Sequence, residues 1–190
     1  MRPATATTSL LLAGLALGAA ACGDSPQEPT AATAPMPTIP AAAVPPVDLG
    51  ECEEISVPEG SKLVYHAYAE GVQIYQWANG TWEPRGPSAT LYADPDRQGT
   101  IGIHYGGPTW ESHGGSLVVG KLKTPCEVGT SDIPWLLLDG VRSEGPGIFH
   151  RVAFIQRINT VGGRAPSAPG SQGEFRNVPY TAEYFFYRAP

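Results

Sequence analysis

The stretch Tyr75-Gln76-Trp77-Ala78-Asn79-Gly80-Thr81-Trp82-Glu83 decides the fold class. Asn-Gly tolerates the positive φ angles of a two-residue type I′ turn, whose twist matches a pair of antiparallel strands. With that turn at its centre, Ala78 faces Thr81 and Trp77 faces Trp82. The two indoles then form a non-hydrogen-bonded pair, where cross-strand side chains approach most closely. One reading makes the tryptophans a hairpin clasp; the other makes them an exposed aromatic platform for a sugar or other flat ligand.

The same texture extends outward from the hairpin. Short β-prone runs separated by Gly/Pro turns cover Lys62–Ala69, Val72–Trp77, Thr81–Glu83, Thr90–Tyr92, Thr100–Tyr105, Ser116–Lys121, Trp135–Asp139, Ile148–Asn159 and Ala182–Tyr187. Few segments sustain the i, i+3, i+4, i+7 spacing of an amphipathic helix. The 23 Gly and 20 Pro in 190 residues argue further against a helical bundle. The expectation is one all-β domain over residues 49–190, a sandwich or barrel-like fold of short antiparallel strands with little helix, its glycines mostly at turns. A hydrophobic share of 42% is too high for a disordered chain, and a net charge of -6 gives no reason to expect nucleic-acid binding.

The N-terminal fifth differs. Met1-Arg2 is followed by the uncharged apolar run SLLLAGLALGAAA, Ser9 to Ala21, which is too short to span a bilayer as a helix needing about 20 residues. Small residues Ala19, Ala20 and Ala21 precede Cys22. This resembles the lipobox of bacterial lipoproteins, in which that cysteine carries the lipid; the alternative is an ordinary secretory signal cleaved near Ala21. Gly23 after Cys22 resembles the outer-membrane-sorted class. Residues 1–21 are thus expected to be a signal peptide and Cys22 a membrane anchor. Residues 23–48, rich in Pro and Ala with no aromatic residue, are expected to be a tether. As polyproline II at ~3.1 Å per residue it would reach about 80 Å. The location this implies is the bacterial cell envelope, at the outer membrane, with secretion as the alternative.

With Cys22 lipidated, Cys52 and Cys126 remain. In an exported domain they are expected to form a disulfide, two free buried thiols being the alternative. There is no C-x-x-C and no close Cys/His pair, and His66, His104, His113 and His150 lack ligand spacing, so no metal is expected.

Five further segments stand in order: EGVQIY (70–75), GIHYGGPTWES (102–112), IPWLLL (133–138), IQRINTVGG (155–163) and VPYTAEY (178–184). This series resembles the family called domain of unknown function 3455, found in bacterial exported proteins and in fungi, over about residues 56–188. The resemblance carries no established activity. Members often have a cysteine just after the VQIY segment and another after GG-x-A-P; this chain has Trp77 at the first place and no cysteine at the second. Some fungal members bear a malate dehydrogenase label, but this chain has no G-x-G-x-x-G after a strand, and no cofactor is implied.

The segment His104 to Ser112 is the densest in chemical groups. His104 offers an imidazole able to exchange protons near neutral pH, and Glu111 a base or a hydroxyl-binding carboxylate. Tyr105 and Trp110 offer ligand contacts. The structural alternative puts Trp110 in the core and Glu111 on backbone amides. In the second segment, strand alternation puts Arg157 and Asn159 on one face, both candidate ligand contacts, opposite Gln156, Ile158 and Thr160. An inward Arg157 would need a carboxylate, for which Glu111 is the candidate. Ser112 and Ser116 lie near His113 without a nucleophile elbow. Three functions follow: a module binding an envelope glycan, small ligand or protein; a structural or stress-related envelope protein; and a hydrolase using His104 and Glu111.

Overall fold

The structure, a computed structural model, describes residues 47–190; the expected signal peptide, Cys22 and most of the stretch read as a tether lie outside the described residues. Eight strands follow in order: β1 Lys62–Ala78, β2 Thr81–Tyr92, β3 Thr100–Tyr105, β4 Thr109–Ser112, β5 Leu117–Cys126, β6 Trp135–Glu144, β7 Phe154–Gly162 and β8 Phe175–Arg188. Each pairs antiparallel with the next, and β8 pairs back onto β1 from Lys62↔Arg188 to Gln76↔Phe175. That last ladder selects a closed up-and-down barrel over a sandwich and leaves the ring without a free edge. The one helical element among the described residues is the 3-10 turn Glu53–Ile55.

The Asn79-Gly80 hairpin has the expected register, Trp77↔Trp82 and Ala78↔Thr81. Asn79 and Gly80 have φ of 53° and 80°, as a type I′ turn requires. The indoles meet edge to face with centroids 5.3 Å apart. They are not an open platform: Trp82 is buried and its N–H donates to the Ala168 carbonyl at 2.8 Å, so the segment around Ala168 roofs the pair.

Several runs read from the sequence are longer or displaced. Lys62–Ala69 and Val72–Trp77 are one strand, with Gly71 in its middle. Gly71, Gly86, Gly102, Gly120, Gly140 and Gly162 all lie inside strands, so the glycines serve the bending of the barrel as well as its turns. Thr109–Ser112, read as part of a chemically rich turn, forms β4 between β3 and β5. Ile148–Ala153, read as the start of a strand, is a connection that carries Phe149 into one end of the barrel. Phe149 is fully buried against Phe186, its N–H donates to Ser116 Oγ at 3.2 Å and its carbonyl accepts from Ser143 Oγ at 2.7 Å. The Ser112–Ser116 hydroxyl pair, 2.9 Å apart and buried, belongs to this plug.

Two cores result. Inward residues, among them Ala67, Ala69, Leu91, Trp110, Val118, Ile155 and Tyr184, fill the barrel. A second cluster forms on the outer face of β6–β8, where Leu137, Ile158, Phe185 and Tyr187 pack beneath Val47, Leu49, Cys52 and Ile55. Packing therefore already includes Val47, inside the stretch read as tether. The strap explains why the Trp135–Leu138 run does not alternate: both faces of β6 are covered here. Gln156 fastens the strap, donating to the Ile55 carbonyl at 2.8 Å and accepting from the Tyr187 hydroxyl at 2.7 Å.

Cys52 and Cys126 form the expected disulfide, with Cα atoms 5.8 Å apart and a separation of 74 in sequence. It ties the strap to the end of β5. Loop-closure entropy for a chain segment of this length gives about 4.5 kcal/mol of stabilisation. Urea denaturation of the double variant Cys52→Ala/Cys126→Ala is expected to show a loss approaching that value. A loss below ~1 kcal/mol would mean that the unfolded chain keeps the strap near β5 without the bond.

Candidate functional site

The end of the barrel opposite the Phe149 plug holds a cavity of about 210 Å³. Every strand except β1 contributes to its lining. Pro87 comes from β2, Pro108 from the β3–β4 turn, Leu122 from β5, and Leu136 and Leu138 from β6; His104, Trp110, Arg157 and Tyr184 supply the polar groups. Strand alternation explains the convergence: His104 pairs with Trp110 across β3–β4, and Leu136, Arg157 and Tyr184 occupy successive register positions across β6, β7 and β8. All five point inward.

His104 is buried and stacked on Trp110, with centroids 4.3 Å apart and planes 6° from parallel. Its Nδ1 lies 2.8 Å from the Thr109 carbonyl. A carbonyl only accepts, so Nδ1 carries the hydrogen and Nε2 the lone pair. Burial pushes the imidazole pKa down to about 3, and the nearby Arg157 charge pushes the same way against the Thr109 bond. His104 is therefore a neutral group and does not exchange protons near pH 7, contrary to expectation. Burial likewise raises the Tyr184 phenol, which Arg157 opposes, so the hydroxyl keeps its proton. Tyr180 adds a second phenol 3.5 Å from that of Tyr184.

Arg157 is half-buried and points inward, but Glu111 is not its partner. Nε and Nη2 both donate to the Pro134 carbonyl, at 3.1 and 2.7 Å. No carboxylate pairs with it among the described residues. Arg151 and Arg188 also lack ion pairs, but both are exposed to water. Trp110 Nε1 is buried without a hydrogen-bond partner.

The remaining candidates lie elsewhere. Tyr105 and Glu111 sit on the outer face, where the Tyr105 hydroxyl donates to Glu111 Oε2 at 2.9 Å. This bond to the carboxylate is the main reason the Tyr105 phenol is held above its ordinary value. His104 and Glu111 thus face opposite sides of the sheet, and no pocket brings them together as acid and base. Asn159 does not share a face with Arg157. It has φ 48° at the irregularity between Ile158 and Val161, which swings its amide outward to donate to Glu183 Oε1 at 2.9 Å. Glu183 Oε2 is held in turn by His66 at 2.7 Å.

Sequence reasoning missed Tyr184, Leu136 and Leu138 as lining residues. Their signal was present as alternate positions in VPYTAEY and IPWLLL, although in the second the strap-facing Trp135 and Leu137 hid the alternation. Among the described residues one cluster has metal-ligand composition, Cys52, Glu54 and Cys126, and its two sulfurs are bonded to each other.

The profile of the family described as "Protein of unknown function (DUF3455)" matches residues 58–188. The chain belongs to this family. The matched region of the DUF3455 domain holds all eight strands and every residue lining the cavity. It begins after the strap, so Cys52 and the outer covering of β6–β8 lie before it. Comparison with curated proteins and with solved structures returned no match.

Proposed function

We propose that this DUF3455 protein is a small-ligand-binding module of the bacterial cell envelope, anchored through lipid on Cys22 and held off the membrane by its Pro/Ala tether. The observation that carries the binding reading is the cavity at the open end of the barrel. Its walls are apolar, its few polar groups converge, and it contains a half-buried guanidinium without an ion pair. That combination is characteristic of ligand sites, and closed eight-stranded barrels are wide enough to hold one small ligand. Separation of His104 from Glu111 weighs against the hydrolase reading. The lipobox-like Ala19-Ala20-Ala21-Cys22 supports the envelope location.

Binding is tested by thermal denaturation of the mature chain against a panel of small amphipathic molecules, with indole fluorescence as a second signal because Trp110 lines the cavity. A true ligand at a hundredfold its Kd stabilises by about 2.7 kcal/mol. Leu122→Trp, a substitution at an exposed position of the mouth, is expected to abolish that shift with the fold intact. A panel without a single hit by either signal would refute the binding reading. Anchoring is tested separately: Cys22→Ser is expected to move the protein from the membrane fraction to the soluble one, and retention in the membrane would refute lipidation at that residue.

A further inference from the structure

The geometry points to a small monocarboxylate with a short apolar body as the ligand of the barrel cavity, anchored by Arg157. This rests on the cavity being a binding site, as proposed above.

The charge in the cavity is a single one. Arg157 is its one formally charged lining residue, and His104 beside it is neutral because its Nδ1 hydrogen is committed to Thr109 and the ring is buried. A guanidinium has five N–H donors, and the Pro134 carbonyl takes two of them. The guanidinium also faces the Tyr184 hydroxyl, and none of its remaining donors has a carboxylate among the described residues. A half-buried cation in apolar surroundings is stabilised most by a partner of opposite charge that can accept two parallel hydrogen bonds, which is what a carboxylate does with an arginine fork. Pro134 also fixes the plane of the guanidinium, so little side-chain freedom remains to be lost when an anion docks.

The number of charges selects among anions. One arginine neutralises one negative charge. Phosphate or a dicarboxylate would leave a second charge uncompensated in a low-dielectric site and close to the His104 lone pair. The Tyr184 hydroxyl, protonated, and the unpartnered Trp110 N–H are neutral donors suited to the remaining carboxylate lone pairs.

The walls select the rest of the molecule. Pro87, Pro108, Leu122, Leu136 and Leu138 offer apolar surface and no hydrogen bond from a side chain. A volume of about 210 Å³ falls below the ~300–1,000 Å³ of sites for drug-sized ligands. A single ring or a short alkyl chain fits; a second charged or bulky group does not.

Titration calorimetry of the full mature chain tests this with matched probes: benzoate and hexanoate, their alcohols benzyl alcohol and hexanol, hexylamine, and inorganic phosphate. Both acids are expected to bind at least about tenfold more tightly than the alcohols of the same shape, with no binding of hexylamine or phosphate. Arg157→Gln is expected to remove that advantage, so that each acid binds no more tightly than the alcohol of the same shape. Arg157→Lys, which keeps the charge and loses the fork, is expected to retain part of it, so the result does not depend on one variant folding. Equal affinity for acids and alcohols, or tight phosphate binding, would overturn the monocarboxylate assignment and leave the binding site standing. Absence of any binding in the wild-type chain would overturn both.

Discussion

Gly71→Val should abolish cooperative folding of the barrel. Gly71 pairs with Ala89 on β2 and with Tyr180 on β8, at the middle of the longest strand. A Cβ placed on it would lie 2.2 Å from the Ser88 carbonyl oxygen and 2.5 Å from Ala89 Cα. Those are main-chain atoms of a neighbouring strand, so no rotamer change relieves the overlap. Either β1 parts from β2, breaking the ladder there, or β1 straightens and draws away from β8. Ordinary overpacking of a core side chain costs about 1–3 kcal/mol. A clash with backbone should cost about 5 kcal/mol or more, comparable to the whole stability of a domain in the 5–15 kcal/mol range. Gly50→Ala is the control: φ is 54° there, but nothing lies within 4 Å of the added atom, and the expected loss is only about 1 kcal/mol. Urea denaturation of both variants checks the contrast. A Gly71→Val protein with a normal sigmoidal transition would mean that β1 and β2 can part locally without loss of the barrel.

Gly71 also shows what a sequence conceals about this fold. Read along the chain, it divides two β-prone runs and looks like a turn. Only the approach of Ser88 and Ala89 from another strand makes it the centre of a single bent one. The hairpin at Asn79-Gly80 is the opposite case. Its register depends on two residues whose φ preferences are local, so it was legible in full. The disulfide was legible because the domain holds two cysteines, which have one possible pairing. The closure of β8 onto β1 was not, since it joins residues from 99 (Gln76↔Phe175) to 126 (Lys62↔Arg188) positions apart with no local signature.

The candidate site was half legible for the same reason. Alternation separated Arg157 from Gln156 and Ile158 without saying which face points inward, and the His104–Trp110 segment was recognisable by its chemistry. The partner of Arg157 was not, because it is a backbone carbonyl, Pro134, and carbonyls leave no trace in residue type. Asn159 was misplaced because a register irregularity inverts the face of every residue after it. Glu111 was attractive for its proximity in sequence to His104, yet His104 pairs with Trp110 across β3–β4, so Glu111, one position further along the strand, falls on the opposite face.

His104 should give the protein an acid-sensitive stability that starts well above the carboxylate range. The ordinary imidazole pKa is 6.5, and in the folded barrel it is pushed down to about 3, first by burial. Above pH 6.5 the ring is neutral in both folded and unfolded chains and pH has no effect through it. As pH falls below 6.5 the unfolded chain takes up a proton that the folded one refuses until pH nears 3. Stability is therefore fully present above 6.5 and falls by about 1.4 kcal/mol per pH unit below it, roughly 5 kcal/mol across the whole window. His66 adds to the same slope, since burial lowers its pKa too, against the opposing bond to Glu183. The contribution of His104 is isolated by His104→Phe, which keeps the flat ring stacked on Trp110 and cannot titrate. Urea midpoints measured from pH 7 to 4.5 should fall steeply for the wild type and much less for the variant. Parallel profiles would show that the imidazole protonates in the folded state, which requires water to reach it through the open end of the barrel. In that event the cavity is wetter than its leucine and proline walls imply, and Arg157 would be screened rather than available to an anion.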